Sequence, residues 1–420
     1  MGAFLDALLA GHDGSDGVRG EAVAALRRDG LPGPREEAWK YTSLRSLEQR
    51  AYARTSNDGI ALPAATFALP KVEGTRLVFA NGVFQPELSE LRAAPGVEIL
   101  PYRDHPGRLE ALLQGASIGT RADAFLRLNT ALVEDGVSIR VAPGSDAGAP
   151  IHLVIAGAPA GSDLAWQLRL QVELGTASRL SLVEHHVDHG GQAHLGNLVA
   201  DYVLDTGAQL ELVQIQESGE HATLIRRSGF QVGEGARLAA TTVEAGARTT
   251  RHDFHVRLAG RGARVESRGV FALRGRQHAD THMDVLHEAR DTVSEMLWRG
   301  VADERARGVF HGAITIAEGA DGADAALSNK NLLLSPLAEI DTQPALEIHA
   351  DEVKAAHGAT VGQLDEQALF YLRARGIPLD AARRILVSAF CGAVFSTLEP
   401  AALRERLDGI LAARLPQAGE

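Results

Sequence analysis

Sixteen histidines and a single cysteine, Cys391, bound the chemistry open to this 420-residue chain. The histidines are densest at His185, His186, His189 and His194, and recur at His252, His255, His278, His282 and His287. Three or four such side chains on one face would suit zinc. Their spacing works against it. On a strand, His185 and His186 point to opposite faces, and so do His252 and His255. His278 and His282 share a face but lie too far apart to ligate one ion from within one strand. The run at 185–194 is therefore expected to be exposed strand and loop histidines. Cys391 lies in a very apolar stretch and reads as a small buried hydrophobe. One cysteine excludes an internal disulfide and any all-cysteine zinc or iron–sulfur site. It fits a reducing compartment.

Other chemistries find no support. Gly233/Gly235 and Gly260/Gly262 begin a dinucleotide fingerprint, but neither pair completes it or precedes a helical pattern. There is no phosphate-binding loop of the G-x-x-x-x-G-K-[ST] kind, no G-x-S-x-G elbow and no H-E-x-x-H. If ATP is used, another subunit must bind it. The net charge of −12, with only Lys40, Lys71, Lys330 and Lys354 among the lysines, argues against nucleic-acid binding. No apolar run approaches the ~20 residues that span a bilayer. The apolar start, Met1 to Leu9, carries Asp6 and no basic flank, unlike a secretory signal. A cytoplasmic protein that engages neither nucleic acid nor membrane is expected.

The elements that must carry these residues fall into three zones. The first is mixed. Helical patterns cover 18–28 and 121–133, and Leu77–Phe84 reads as a hairpin about Asn81-Gly82. From about 137 to 348, apolar and polar residues alternate in short runs, as in Leu168, Leu170, Val172 and Leu174, which means strands. Glycines at 175, 207, 235 and 262 each open such a run, a recurrence that suits stacked coils. An antiparallel sandwich with glycine turns would give a similar pattern, and periodicity does not separate the two. The last zone is helical again, over 363–376, 380–398 and about 400–415.

The segment between the last two zones is dense in polar residues without turn composition. It reads N-K-N-L-L-L-S at 329–335, A-E-I-D-T-Q-P at 338–344 and L-E-I-H-A-D at 346–351. V-K-A-A-H-G-A-T-V-G-Q-L follows at 353–364, and L-F-Y-L-R-A-R-G-I at 369–377. These motifs closely resemble the SufB/SufD family, the scaffold proteins of Suf-type iron–sulfur cluster assembly. Trp39-Lys40-Tyr41-Thr42 resembles the family's N-terminal W-K-Y-T. Leu128-Asn129 with Asp135-Gly136, and Phe310-His311-Gly312, add to it. The H-G-A-T-V-G-Q-L text and the lack of cysteines in the β zone resemble the SufD branch rather than the SufB branch.

The resemblance implies a mainly β fold, a right-handed parallel β-helix flanked by helical domains. The expected boundaries are 1–133, 134–350 and 351–420. It implies a non-catalytic scaffold subunit in a complex of SufB, the ATPase SufC and SufD. The iron–sulfur cluster would form transiently at the interface with SufB, none being resident in the isolated chain. The family's cluster-site histidine maps onto His357, as a cluster ligand or interface residue. Where many members carry cysteine two residues earlier, this chain has Ala355. Asn329, Lys330, Asn331, Glu347, Asp351, Lys354, Gly358 and Thr360 are the matching interface-motif residues. Phe370, Tyr371, Arg375, Ile377 and Pro378 are the candidates for docking SufC. Without partners, a SufD homodimer is expected from an exposed β-helix edge. The alternative reading is a carbohydrate-active or zinc-dependent enzyme built on a β-solenoid.

Overall fold

The computed structural model describes residues 3–12, 17–55, 74–115, 117–118, 123–396, 398 and 401–414. The N-terminal zone holds helices α1 (Ala3–Leu8), α2 (Gly17–Asp29) and α3 (Arg45–Glu48), and strands β1 (Ala53–Arg54), β2 (Thr75–Ala80), β3 (Val83–Phe84) and β4 (Val97–Pro101). Helices α4 (Pro106–Leu113) and α5 (Ala124–Leu132) complete it, the latter capped where the Asp123 carboxylate accepts from Leu126 N. β2 and β3 form the expected hairpin, with Asn81 and Gly82 both at positive φ (46° and 82°).

A long run of strands follows. It opens with β5 (Asp135–Val141), β6 (Ile151–Gly157), β7 (Leu164–Leu174), β8 (Arg179–Asp188), β9 (Leu195–Leu204) and β10 (Gln209–Glu217). Next are β11 (Thr223–Val232), β12 (Arg237–Glu244), β13 (Thr249–Leu258), β14 (Arg264–Leu273) and β15 (His278–His287). It ends with β16 (Val293–Ala302), β17 (Arg307–Ile316), β18 (Asp324–Leu333), β19 (Glu339–Ile348) and β20 (Lys354–Gly362). From β5 to β20, odd strands form one sheet and even strands the other, each pairing in parallel with the strand two along. This is a β-solenoid of about eight turns, not a sandwich. The strands run past residue 350, because Lys354–Gly362 pairs in register with Asp324–Leu332.

Between the two sheets lies one continuous core, including Leu170, Leu182, Tyr202, Phe230, Phe254, Phe271, Trp298 and Phe310. Tyr202, Phe230 and Phe254 stack coil upon coil, with centroids 4.5 and 4.6 Å apart. The two tryptophans of this core, Trp166 and Trp298, need bare backbone beside them. A Cβ on Gly196 would lie 2.4 Å from the Trp166 ring, and one on Gly269 would lie 2.5 Å from Trp298. The turns before β8, β10, β12, β14, β16 and β18 each place a left-handed residue two positions ahead of the strand: Ala177, Gly207, Gly235, Gly262, Asp291 and Gly322. Gly175 is therefore not the equivalent of Gly207. Ala177 (φ 55°) holds that place, and Gly175 is required by Pro143, whose ring a Cβ would meet at 2.8 Å.

Both outer faces carry helices. Phe125, Leu128 and Leu132 of α5 join α1 and α2 against Ala165, Leu195 and Ile225 of the odd sheet. Three further helices, α6 (Glu366–Ala374), α7 (Leu379–Gly392) and α8 (Ala401–Arg414), complete the chain. Val387, Cys391, Phe395 and Leu407 of this layer pack on Val213, Val243, Val270 and Val301 of the even sheet. Burial on both faces explains why many strands read as apolar throughout. Burial also pushes the Cys391 thiol up to about 12, so it is unreactive.

Candidate functional site

The two ends of the solenoid differ. At the first end, β4 lies antiparallel on β5, and β3 lies antiparallel on β2, which itself pairs with β6. The Asp135 carboxylate ties this cap together, accepting from the backbone N–H groups of Phe84 (2.8 Å), Gly136 (2.7 Å) and Arg103 (3.2 Å). Asp135-Gly136 opens β5 rather than turning a hairpin. At the other end, β19 and β20 are the last strands of their sheets, with no further strand beside them among the described residues. β20 is largely exposed along its length. Two parallel edges thus lie open side by side.

The interface-motif residues divide between the faces of this end. His357 lies opposite Leu327, whose side chain points into the core, so His357 faces the open mouth of the last coil and is exposed there. Ala355 shares that face. Lys354, Gly358 and Thr360 alternate to the outer face, where a Cβ on Gly358 would meet nothing. The Glu347 carboxylate accepts from His349 Nε2 at 2.9 Å on exposed ground, and Asp351 lies in the exposed bend before β20. Lys330 is exposed, but Asn329 and Asn331 are 0% and 2% exposed inside the solenoid. These two asparagines belong to the core. Phe370 and Tyr371 stand 74% and 55% exposed on α6, with the Arg375 guanidinium 4.7 Å from the Tyr371 ring. Ile377 is half-buried and Pro378 caps α7.

Trp39-Lys40-Tyr41-Thr42 forms a strap along the outside of the odd sheet. The Trp39 ring lies 4.7 Å from the Arg251 guanidinium of β13. The Thr42 hydroxyl bonds Asp280 and, at 2.7 Å, His278 Nε2 on β15. The Arg307 guanidinium of β17 lies 5.5 Å from the Tyr41 ring, and Gln343 Nε2 of β19 donates to Tyr41 Oη at 2.9 Å. Beneath it, buried Arg251 donates to Asp253 Oδ1 (2.6 Å) and Asp280 Oδ2 (2.7 Å). Burial opposes ionisation of Asp280, but Arg251 outweighs it, with His282 and Thr42, and holds the carboxyl well below its usual range.

The histidine run at 185–194 differs from expectation. His185, His186 and His194 are buried, because each ring has a polar partner. His185 Nε2 meets Glu217 at 3.0 Å on the outer face. His194 accepts from Leu164 N at 3.0 Å and bonds Ala158 O at 2.8 Å. His186 turns inward, 2.6 Å from Glu184, which also accepts from Arg226 at 2.6 Å. His252 and Ser228 share a bond of 3.2 Å in the same interior, and Glu244 accepts weakly from Thr281 at 3.4 Å. Burial pushes the Glu244 carboxyl up to about 7. Strand alternation separates His185 from His186 but does not say which faces inward, and the apolar neighbours conceal that a charged compartment sits inside.

Among the described residues, no three His, Cys, Asp or Glu side chains gather as a metal set. The only cysteine, Cys391, is buried on α7 against the even sheet. The donors at the open end are His357, His349 and carboxylates. Such a site can complete a ligand shell supplied largely from elsewhere.

The molecule is a helix-clad β-solenoid, closed at one end, whose distinctive residues sit on or beneath two bare strand edges. Residues 157–390 match the "SUF system FeS cluster assembly, SufBD core domain" and residues 13–153 the "SufBD protein N-terminal region". The chain belongs to the SufBD family and so to iron–sulfur cluster assembly. It is 28% identical over 395 residues to the iron-sulfur cluster assembly protein SufD of Escherichia coli, covering 93% of this chain and 91% of that one. It is 29% identical over 389 residues to an iron-sulfur cluster assembly SufBD family protein of Synechocystis, covering 90% and 86%. To SufD of Bacillus subtilis it is 23% identical over 311 residues, covering 74% and 71%.

Proposed function

We propose that this chain is a non-catalytic scaffold subunit of a SufB–SufC–SufD complex, in which its open end pairs with a SufB-type partner and the cluster assembles between them. The observation that carries this reading is the contrast between the closed first end and the exposed edges of β19 and β20, with His357 at the mouth. Edge strands attract strand partners. The cluster is cargo, and the partner supplies the thiolates that this chain lacks. His357 contributes one ring nitrogen, a ligation compatible with mixed Cys/His clusters. SufC supplies ATP hydrolysis and docks on α6 and the start of α7, where Phe370 and Tyr371 present aromatic surface beside Arg375, Ile377 and Pro378. Asp351, Glu347, Lys354, Gly358 and Thr360 line the partner-facing rim, with Lys330 on the adjoining coil. The complex works in the cytoplasm. Without SufB, the same edges pair two copies of this chain.

The test is reconstitution with the SufB-type and SufC-type subunits of the same cell, followed by cluster formation under anaerobic conditions with iron and a sulfide source. The His357→Ala complex is expected to assemble but to yield several-fold less cluster by its visible absorbance. Wild-type yield and lifetime would remove His357 from the ligand shell. Failure of the wild-type chain to capture either subunit would remove the scaffold reading itself.

A further inference from the structure

The buried pair Asn329 and Asn331 has no place in an interface of exposed side chains, yet it lies one coil beneath His357. Asn329 Oδ1 accepts two bonds, from Asn331 Nδ2 at 2.6 Å and from the Thr342 hydroxyl of β19 at 2.8 Å. Asn331 Nδ2 also donates to the Thr360 carbonyl of β20 at 3.1 Å. The pair thus joins β18 to both edge strands at once. Space for it is built in: a Cβ on Gly300 would come 2.2 Å from Asn331 Oδ1. The arrangement is poor for stability alone. Asn329 Nδ2 and Asn331 Oδ1 are buried without partners, and each such atom costs free energy that leucine would avoid.

We infer that Asn331, braced by Asn329, is a positioning residue that sets the place of β20, and hence of His357, relative to β19. The ladder to β18 alone leaves an outermost exposed strand free to fray and twist. A side-chain bond to the Thr360 carbonyl, three residues from His357, tethers the strand from within. The Thr342 bond fixes the other edge to Asn329, whose amide oxygen Asn331 also bonds, so the linked pair keeps the two edges at one spacing. This inference rests on the scaffold reading for its purpose but not for its geometry.

The test uses the full chain with Asn329→Leu/Asn331→Leu, which keeps shape and removes both amides. Deuterium exchange at short labelling times should be at least about fivefold faster over 354–362 and unchanged over 278–287, with a urea midpoint equal to or above wild type. Thr342→Val, which removes only the β19 bond, should move the same region less. The Asn variant should also capture the SufB-type partner several-fold more weakly, while Val285→Ala, a core change of lower stability, should not. Unchanged exchange over 354–362, or a general acceleration with a lower midpoint, would overturn the tether. Faster exchange with undiminished capture would overturn the positioning role. If the wild-type chain captures no partner, the scaffold reading fails while the exchange result still decides the tether.

Discussion

At single residues the molecule shows which side chains its coils require. Gly136 (φ 151°) lies where a Cβ would be 1.8 Å from Arg169 O, so Gly136→Ala should cost about 3 kcal/mol or more, read as a lower urea midpoint. Glu244 should make stability depend on pH in an unusual direction. Its carboxyl holds a proton in the native state up to about 7, against 4.5 unfolded. Between those values the native state binds the extra proton, so stability falls as pH rises through the window and levels off above it. Glu244→Gln should flatten that slope and stabilise at pH 8 by up to about 3 kcal/mol, measured by urea unfolding at pH 5 and pH 8. The sequence identified His357 only through its motif. Nothing in spacing separated it from the other histidines, since its distinction is to face an opening left where, among the described residues, no coil follows β20.

At the level of elements, the strap shows how a short motif can hold several coils. It bonds β15 and β19, and its aromatic rings lie beside arginines of β13 and β17. Tyr41→Phe, which removes the bond from Gln343, should cost about 1 kcal/mol and speed exchange in 339–348 with little change elsewhere. Asp280→Asn should cost more, about 3 kcal/mol at pH 7, because it leaves buried Arg251 with Asp253 alone. That cost should shrink as the pH falls below about 4, since the depressed Asp280 carboxyl stabilises the native state only where the unfolded carboxyl is also ionised. The strands were legible from period-2 alternation and the helices from their apolar spacing, while the caps at Asp123 and Asp365 are seen only in the structure. The pairing of β8 with β10 rather than with β9 was not, because alternation says which face is buried and nothing of which strand lies alongside. The turn repeat was legible only in part, since Ala177 and Asp291 take a conformation that a search for glycine overlooks.

For the whole molecule, the helical layers separate two tasks. The N-terminal layer and strap hold the odd sheet, while α7 and α8 cover the even sheet and leave Phe370, Tyr371 and Ile385 in solvent. Phe370→Ala/Tyr371→Ala should leave the melting temperature unchanged and weaken capture of the ATPase subunit by tenfold or more in a binding titration. The closed first end has a further consequence. A stack of parallel coils with two bare ends could add copies head to tail into a growing fibre. Here β3 and β4, the last strands at the first end, run antiparallel to their neighbours and so do not present the parallel edges that β19 and β20 do. Under the scaffold reading the parallel edges of β19 and β20 take one neighbour, so particles of two solenoids are expected, which light scattering of the purified complex would check.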